Sequence, residues 1–161
     1  MPPENHARQD TVRASAAVAD SRIEISFEAT NPAARRAIRS IIGQVEPGTV
    51  SQEDIDVLEI ALAEVFNNIV EHAYQDTGRG QVDVAVEMRT PGMHFTIWDD
   101  GEPMPAGRLP GGAPADPSLD AHEQAEGGYG LFMIRQLARK LRYERTEGRN
   151  RLSFRIKLSS A

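Results

Sequence analysis

The sequence contains no cysteine among its 161 residues, and it contains no long apolar run. The absence of cysteine excludes disulfides, thiolate metal sites, iron–sulfur clusters and cysteine nucleophiles. No apolar stretch reaches the roughly 18 residues that a membrane helix requires. The first ten residues also lack the apolar core of a signal peptide. We therefore expect a cytoplasmic protein that does not associate with a membrane.

An excess of positive charge is also absent, since the formal net charge is −6. This balance argues against a direct, general grip on nucleic acid. The charge is unevenly spread: residues 102–126 contain five acidic residues and one basic residue, whereas residues 135–157 contain nine basic and two acidic residues. Two interpretations stay open, namely ordinary solvated faces, or an acidic loop and a basic strand edge that face different partners.

The length of the chain suits a single folded domain. Residues 1–20 mix proline, alanine, serine and charged residues without periodicity, so we predict a disordered tail there and one domain over residues 21–161. Apolar and polar residues alternate over residues 21–28, which predicts a half-buried strand. The same alternation over residues 81–98, around the turn Thr90-Pro91-Gly92, predicts a β-hairpin.

Two helices are predicted between these strands. Asn31-Pro32 is a typical helix start, with the asparagine as the N-cap and the proline in the first turn. Ser51, followed three residues later by Asp54, fits a capping box. Apolar residues then recur at helical spacing until near Tyr74, which predicts a second helix of more than twenty residues.

A long segment without periodicity separates these elements from the end of the domain. Residues 102–126 hold five of the ten prolines, and a loop of this length is typically functional or disordered. A third helix is predicted after Gly127–Gly130, and two strands are predicted over the remaining residues to 158. This order predicts an α/β fold of the α+β sandwich type, with one mixed, mostly antiparallel sheet and about three helices on one face.

Glu64, Asn68 and His72 are spaced four residues apart and form a polar stripe on the otherwise apolar second helix. One interpretation is a partly exposed shoulder with internal hydrogen bonds. The other is chemical, because an asparagine oxygen suits Mg²⁺ held together with substrate phosphates. Glu64 could then accept a proton beside the metal, and His72 could orient one of these groups or be structural. A zinc site is disfavoured because the sequence has no His-Glu-x-x-His.

Two glycine-containing motifs follow the hairpin. Asp99-Asp100-Gly101 is either a plain turn or a part-buried carboxylate that accepts a hydrogen bond from an exocyclic amine, with Gly101 allowing close approach to a flat ring. Gly127-Gly128-Tyr129-Gly130-Leu131 precedes the third helix, and such a helix start binds anions. The run is neither a P-loop nor a dinucleotide fingerprint. In order, these motifs offer a metal ligand, a base reader and a phosphate cradle.

This ordered set resembles the Bergerat-fold ATP-binding superfamily of gyrase, the heat-shock-90 chaperone, histidine kinases and the mismatch-repair ATPase. Within it, the sequence is most similar to the anti-sigma-factor serine/threonine kinases of bacterial partner-switching systems. Residues 64–74 resemble the asparagine box, residues 99–103 the first glycine box, and residues 127–134 the second. Residues 148–152 match the ending of the subfamily, and the whole resemblance covers residues 22–158.

The resemblance implies a fold, a reaction and partners. Asn68 would hold Mg²⁺, Glu64 would be the general base, Asp99 would read adenine, and residues 102–126 would form a long ATP lid. The residues that the resemblance places at the nucleotide are Asn68, His72, Asp99, Gly101, Gly127, Gly128, Tyr129, Gly130 and Leu131. It further implies a homodimeric kinase that phosphorylates a small STAS-like antagonist protein and sequesters a sigma factor or equivalent regulator. Residues 22–45 would form the dimer or partner face.

Two departures from the subfamily leave alternatives open. Met104-Pro105-Ala106 stands where the family often has Phe-Asp-Pro, and Gly127 stands where some members carry an arginine. One alternative is therefore a catalytically weak or inactive nucleotide-binding module that regulates by sequestration alone. Another is an ATPase that hydrolyses ATP, although relatives of that kind usually carry a transducer domain, which we do not expect in a chain of this length.

Overall fold

The computed structural model describes residues 13–15, 21–48, 50–89, 92–104 and 135–159. Its elements, in chain order, are β1 (Arg13–Ser15), β2 (Arg22–Glu28), α1 (Asn31–Ile42), α2 (Gln52–Asn68), a π-helical segment (Ile69–Ala73), β3 (Gln81–Arg89), β4 (Gly92–Asp99), β5 (Ala138–Thr146) and β6 (Arg149–Lys157). No helix within these ranges is both long enough and apolar enough to cross a lipid bilayer.

The six strands form one sheet in the order β1-β2-β3-β4-β6-β5. Every pairing between neighbouring strands is antiparallel. The helices α1 and α2 pack against each other, and their apolar residues join the inward side chains of the strands in one core. The predicted sandwich, with one mostly antiparallel sheet under helices, is therefore confirmed. Residues 135–137 are helical, and the predicted third helix before residue 135 lies outside the described residues. The sequence pattern also extends that helix to Ala138, which instead begins β5.

The first strand lies within the predicted disordered tail. Arg13–Ser15 pair with Arg22–Glu24 at the edge of the sheet, so the structure differs from the prediction at these three residues. Main-chain hydrogen bonds to an open sheet edge require no apolar periodicity, so a strand this short leaves no pattern in the sequence.

The N-caps agree with the sequence for one helix and correct it for the other. Ser51 caps α2, because its hydroxyl accepts a hydrogen bond from the backbone N–H of Asp54 at 3.2 Å. Thr30, and not Asn31, caps α1, since the Thr30 hydroxyl accepts from the N–H of Ala33 at 3.3 Å. The extended backbone of Thr30 provides this geometry, and Asn31 is already inside the first turn.

The core fixes α2 over the middle of the sheet. Phe66 of α2 is fully buried, and its ring centroid lies 4.8 Å from that of Phe27 on β2. Phe95 of β4 stacks on Phe154 of β6 with centroids 5.1 Å apart. Truncation of such a buried ring to alanine typically costs about 3–5 kcal/mol. The contact between Phe27 and Phe66 therefore holds the C-terminal part of α2 against the sheet.

Candidate functional site

A cavity lies between the C-terminal end of α2, the end of β4 and the adjoining residues of β5 and β6. Its walls are mainly apolar and contain a few polar groups, which is typical of a ligand site. The residues that line it are Val65, Asn68, Ile69, His72, Ala73, Asp99, Glu102, Pro103, Met104, Tyr143, Asn150 and Leu152. Three of the residues singled out in the sequence, Asn68, His72 and Asp99, therefore meet at one cavity.

Asp99 is a buried carboxylate at the end of β4, with only 5% of its surface exposed. The alternation that buries Phe95 and Ile97 also turns Asp99 inward. Its Oδ1 accepts hydrogen bonds from the N–H of Gly101 at 3.0 Å and from Nδ2 of Asn150 at 2.8 Å. Burial raises the pKa of Asp99, and these two hydrogen bonds oppose that increase. The result is a fixed hydrogen-bond acceptor in an apolar cavity.

Asn68 is the last residue of α2, immediately before the π-helical segment. Its Nδ2 is buried and has no hydrogen-bond partner in the described part of the chain. A buried polar atom without a partner costs about 1–3 kcal/mol, so its retention needs an explanation. A half-turn of the amide exchanges its nitrogen and oxygen, so the same position can present an oxygen to a cation. The side chain therefore fits a ligand role in this cavity.

Glu64 lies one turn before Asn68 on α2 but does not line the cavity. Its side chain is partly buried, and this burial raises the pKa of its carboxyl, with a further contribution from the charge of Glu71. A raised pKa makes a carboxylate a better proton acceptor near neutral pH. His72, by contrast, is exposed and lies at the rim of the cavity.

Asn150 is a site residue that our sequence analysis did not assign. It is buried at the start of β6, and its Nδ2 also donates to the carbonyls of Gly101 at 3.3 Å and Glu102 at 3.0 Å. Its Oδ1 accepts from the hydroxyl of Tyr143 and from Nη1 of Arg145, both at 2.7 Å. A signal was present in the sequence, because Asn150 is the one polar residue in phase with the inward apolar residues of β6.

Gly101 is not among the residues that line the cavity, and its expected close approach to a flat ring stays a prediction. A Cβ at this position would lie 2.5 Å from the carbonyl oxygen of Ala73, so only glycine fits against the end of the π-helical segment. The next residue, Glu102, donates its N–H to the same oxygen at 2.7 Å. The glycine thus joins the end of β4 to the end of the helix.

The segment after β4 is anchored on its other side as well. The N–H of Met104 donates to the hydroxyl of Tyr143 at 2.9 Å. Residues 101–104 are therefore held between the helix end and β5. The rest of the predicted loop, residues 105–126, and the glycine-rich run Gly127, Gly128, Tyr129, Gly130 and Leu131 lie outside the described residues.

Tyr74, which directly follows the π-helical segment, has a structural role. Its hydroxyl donates to the carbonyl of Gln81 at 2.8 Å and accepts from the N–H of Asp100 at 2.9 Å. The Tyr74 ring occupies the space that a Cβ at position 80 would need, so glycine is required there. These contacts fix the end of the helix to the start of β3 and to the end of β4.

A family model described as "Histidine kinase-like ATPase domain" matches residues 27–156. Similar curated proteins carry the name serine-protein kinase RsbW. The protein from Oceanobacillus iheyensis is 31% identical over 88 residues, which are 54% of this chain and 56% of that protein. The protein from Halalkalibacterium halodurans is 33% identical over 98 residues, 60% of this chain and 59% of the relative. The match therefore spans less than two thirds of the length of these relatives.

A likeness to a solved structure supports the fold alone. The crystal structure of the RsbU and RsbW domains of Rv1364c from Mycobacterium tuberculosis matches with a TM-score of 0.57 at 20% sequence identity. The match covers 87% of this chain and 33% of that chain.

Proposed function

This chain belongs to the histidine kinase-like ATPase domain family, and we propose that it is an ATP- and Mg²⁺-dependent serine/threonine kinase of the anti-sigma-factor type. The observation that carries the proposal is that the buried Asp99 carboxylate lines the same cavity as Asn68, whose buried Nδ2 has no hydrogen-bond partner among the described residues. The curated relatives named serine-protein kinase RsbW support the reaction class. The substrate is a serine or threonine of a small STAS-like antagonist protein.

Asp99 reads the adenine ring in this proposal. The exocyclic amine of adenine is a hydrogen-bond donor, and a carboxylate in an apolar cavity is the matching acceptor. Both hydrogen bonds that Asp99 receives from described residues go to Oδ1, so Oδ2 is the oxygen available to the amine. Guanine presents a carbonyl at the corresponding position, so the same carboxylate would reject it.

Asn68 and Glu64 act at the phosphate end. Asn68 is the residue that would hold Mg²⁺, which when bound offsets negative charge on the β and γ phosphates. Glu64 accepts the proton of the incoming hydroxyl. The hydroxyl oxygen forms a bond to the γ-phosphorus, while the bond between that phosphorus and the β–γ bridging oxygen breaks. The raised pKa of Glu64 suits this role. The second glycine box, Gly127 to Leu131, is proposed to cradle the phosphates.

The proposed protein partners rest on the same family relationship. We propose a homodimer in the cytoplasm that sequesters a sigma factor or equivalent regulator, with residues 22–45 as the dimer or partner face. Exposed basic side chains occur there on α1, including Arg35 and Arg39. Phosphorylation of the antagonist and sequestration of the regulator would then compete for one surface, so that the two activities are thermodynamically linked.

The substitution Glu64→Gln tests the catalytic proposal, with Glu59→Gln as the matched control because Glu59 is exposed on the same helix. Purified proteins are mixed with radiolabelled ATP, Mg²⁺ and a STAS-like protein encoded beside the gene. We expect Glu64→Gln to bind ATP normally and to lose transfer by at least about a hundredfold, which is the lower range for a general base. Transfer at the wild-type rate in Glu64→Gln would contradict its role.

A second candidate function is a nucleotide-binding module that regulates by sequestration without transfer. It is favoured by one observation, namely that Glu64 does not line the described cavity. The same assay separates the two candidates, because the module would bind ATP and would leave every serine and threonine of the antagonist unlabelled.

A further inference from the structure

The sheet face opposite the helices carries a groove of about 340 Å³ that crosses β3, β4, β6 and β5. Thr96 of β4 and Ser153 of β6, which are cross-strand partners, lie along its floor. Both alternate with buried residues, so they face away from the core and from the candidate site. The basic residues that line the groove are Arg89, His94, Lys140, Arg142, Arg151 and Arg155.

The described residues do not neutralise much of this positive charge. Within the described ranges, Lys140, Arg142 and Arg155 make no ion pair, whereas Arg151 pairs with Glu144 at 2.5 Å and Arg89 pairs with Glu87. The groove therefore holds at least three cations that have no counter-ion among the described residues. These groups would attract an acidic ligand, and because they are exposed the attraction should weaken as salt is added.

The positive charges of the groove also affect the pKa of its histidine, His94. The pKa of His94 is lowered, first by burial and then by the charges of Arg155, Arg89 and Lys140, against an opposing contribution from Glu87. Three cations thus outweigh one carboxylate at the imidazole. The groove combines hydroxyl donors on its floor with net positive charge on its walls.

A β-bulge in β5 directs two of these cations into the groove. Arg139 is opposite Arg155, but Arg142 is opposite Ser153, so β5 has one extra residue in this interval. Without that residue, the alternation of a strand would put Ala138 and Arg142 on the same face. The bulge lets Ala138 be buried in the core while Arg142 is exposed, and Lys140 in the bulge adopts a φ of 52° that lysine rarely adopts.

We propose that this groove binds an extended acidic segment of a partner protein, with aspartate and glutamate side chains crossing the strands. Neighbouring strands are about 4.8 Å apart, so four strands span about 14 Å. That width exceeds one phosphate group and matches an extended peptide of four or five residues. Arginine binds carboxylates in a bidentate manner, and the floor hydroxyls add donors.

A protein segment fits this groove better than nucleic acid does. Glu87 lines the groove beside Arg89, and Glu144 holds Arg151, so the basic area is bounded by carboxylates. The chain as a whole carries a net charge of −6, which would repel a long phosphate backbone beyond the groove. The groove lies on the other side of the sheet from the proposed nucleotide site, so this inference is independent of the kinase proposal.

The test uses a fluorescent octaglutamate peptide as the probe and the full chain as the receptor. The variant is Arg142→Glu with Arg155→Glu, and the charge-matched control is Arg79→Glu with Arg135→Glu, both exposed and absent from the groove lining. Fluorescence anisotropy at roughly 150 mM salt measures peptide binding. We expect the groove variant to weaken peptide binding at least about tenfold, because it loses charge-assisted hydrogen bonds to the peptide carboxylates. The control variant should change peptide binding less than about twofold.

A milder variant, Arg142→Gln with Arg155→Gln, covers the case in which charge reversal prevents folding, and unchanged unfolding midpoints identify folded variants. Equal weakening by the groove variant and the control would overturn the proposal. So would tighter binding of an oligothymidylate of equal charge than of the peptide, which would indicate nucleic acid. Self-association that depends on Arg142 and Arg155, without any peptide binding, would indicate a second copy of the chain and would also overturn it.

Discussion

The substitution Asn150→Ala is the sharpest test of how the candidate site is built. The Asn150 amide is 3% exposed and joins Asp99 to the first residues after β4. Its hydrogen bond to the Asp99 carboxylate is charge-assisted and is worth about 1.5–3 kcal/mol. Its bonds to Tyr143 and to the Glu102 carbonyl are worth about 1 kcal/mol each. Since contributions within one network are not additive, we expect a loss of about 3 kcal/mol.

Urea unfolding with linear extrapolation measures this loss, and a thermal scan should show a decrease in Tm of about 9 °C for a domain of this size. The control is Asn67→Ala, because Asn67 is exposed on α2 and its replacement should change the free energy of unfolding by less than about 0.5 kcal/mol. A loss below about 1 kcal/mol in Asn150→Ala would refute the reasoning, because it would mean that water replaces the amide without cost.

The loss should also depend on pH. Asn150 stabilises the ionised form of Asp99, and without it the pKa of Asp99 should rise further. The difference between wild type and Asn150→Ala should therefore be largest at neutral pH and should decrease as the pH falls through the raised pKa of Asp99. A difference that grows on acidification would contradict this assignment of the charged partner.

The remaining predictions concern three other positions. In Asp99→Asn, the free energy of unfolding at pH 7 should not decrease, because burial raises the pKa of Asp99 and the stabilising protonated form of this carboxyl is lost as the pH rises. ATP affinity measured by calorimetry should nevertheless fall at least about tenfold, and unchanged affinity would exclude Asp99 as the adenine reader. Gly101→Ala should lower the free energy of unfolding in urea by at least about 2 kcal/mol, because the new Cβ clashes with Ala73. Asp100→Ala, at the exposed neighbour, should lower it by less than about 1 kcal/mol, and equal values would contradict the close approach of Gly101 to Ala73. Asn68→Ala should weaken ATP binding in the presence of Mg²⁺ and leave metal-free binding nearly unchanged in paired titrations, and an equal effect in both would remove Asn68 from the metal site.

The sequence predicted the features that depend on local pattern. Alternation located β2, β3, β4 and β6. For Asp99 the sequence left a plain turn and a part-buried carboxylate open, and the structure buries the side chain in phase with Phe95 and Ile97. Helical spacing placed Asn68 on one stripe of α2 with Glu64 and His72, and the structure brings Asn68 and His72 of this stripe to the cavity. These parts were predictable because each follows from one element and its own period.

The features that depend on pairing between distant elements were not predictable in the same way. The alternation of β6 showed Asn150 as a polar residue in an inward position, but only the pairing of β4 with β6 brings it opposite Asp99. The same is true of Tyr143, whose hydroxyl reaches Asn150 because β5 pairs with β6. The bulge that separates Ala138 from Arg142 is likewise set by the core on one side and the groove on the other.

The π-helical segment explains why the site can hold a fixed geometry at the end of a helix. In this segment the N–H of Tyr74 donates to the carbonyl of Ile69, five residues earlier, at 3.1 Å. Each residue of an α-helix turns by about 100°, so replacing this wide turn with a regular one would rotate Ala73 and Tyr74 away from their present direction.

That rotation would break two connections at once. Ala73 would lose the N–H of Glu102, and Tyr74 would lose the N–H of Asp100, so the end of β4 would separate from the helix. The position of Asn68 relative to Asp99 is therefore set by the π-helical turn between them and by these two hydrogen bonds, rather than by any direct contact between the two side chains. A wide turn that costs stability in an isolated helix persists here because both strand-end donors bind to it.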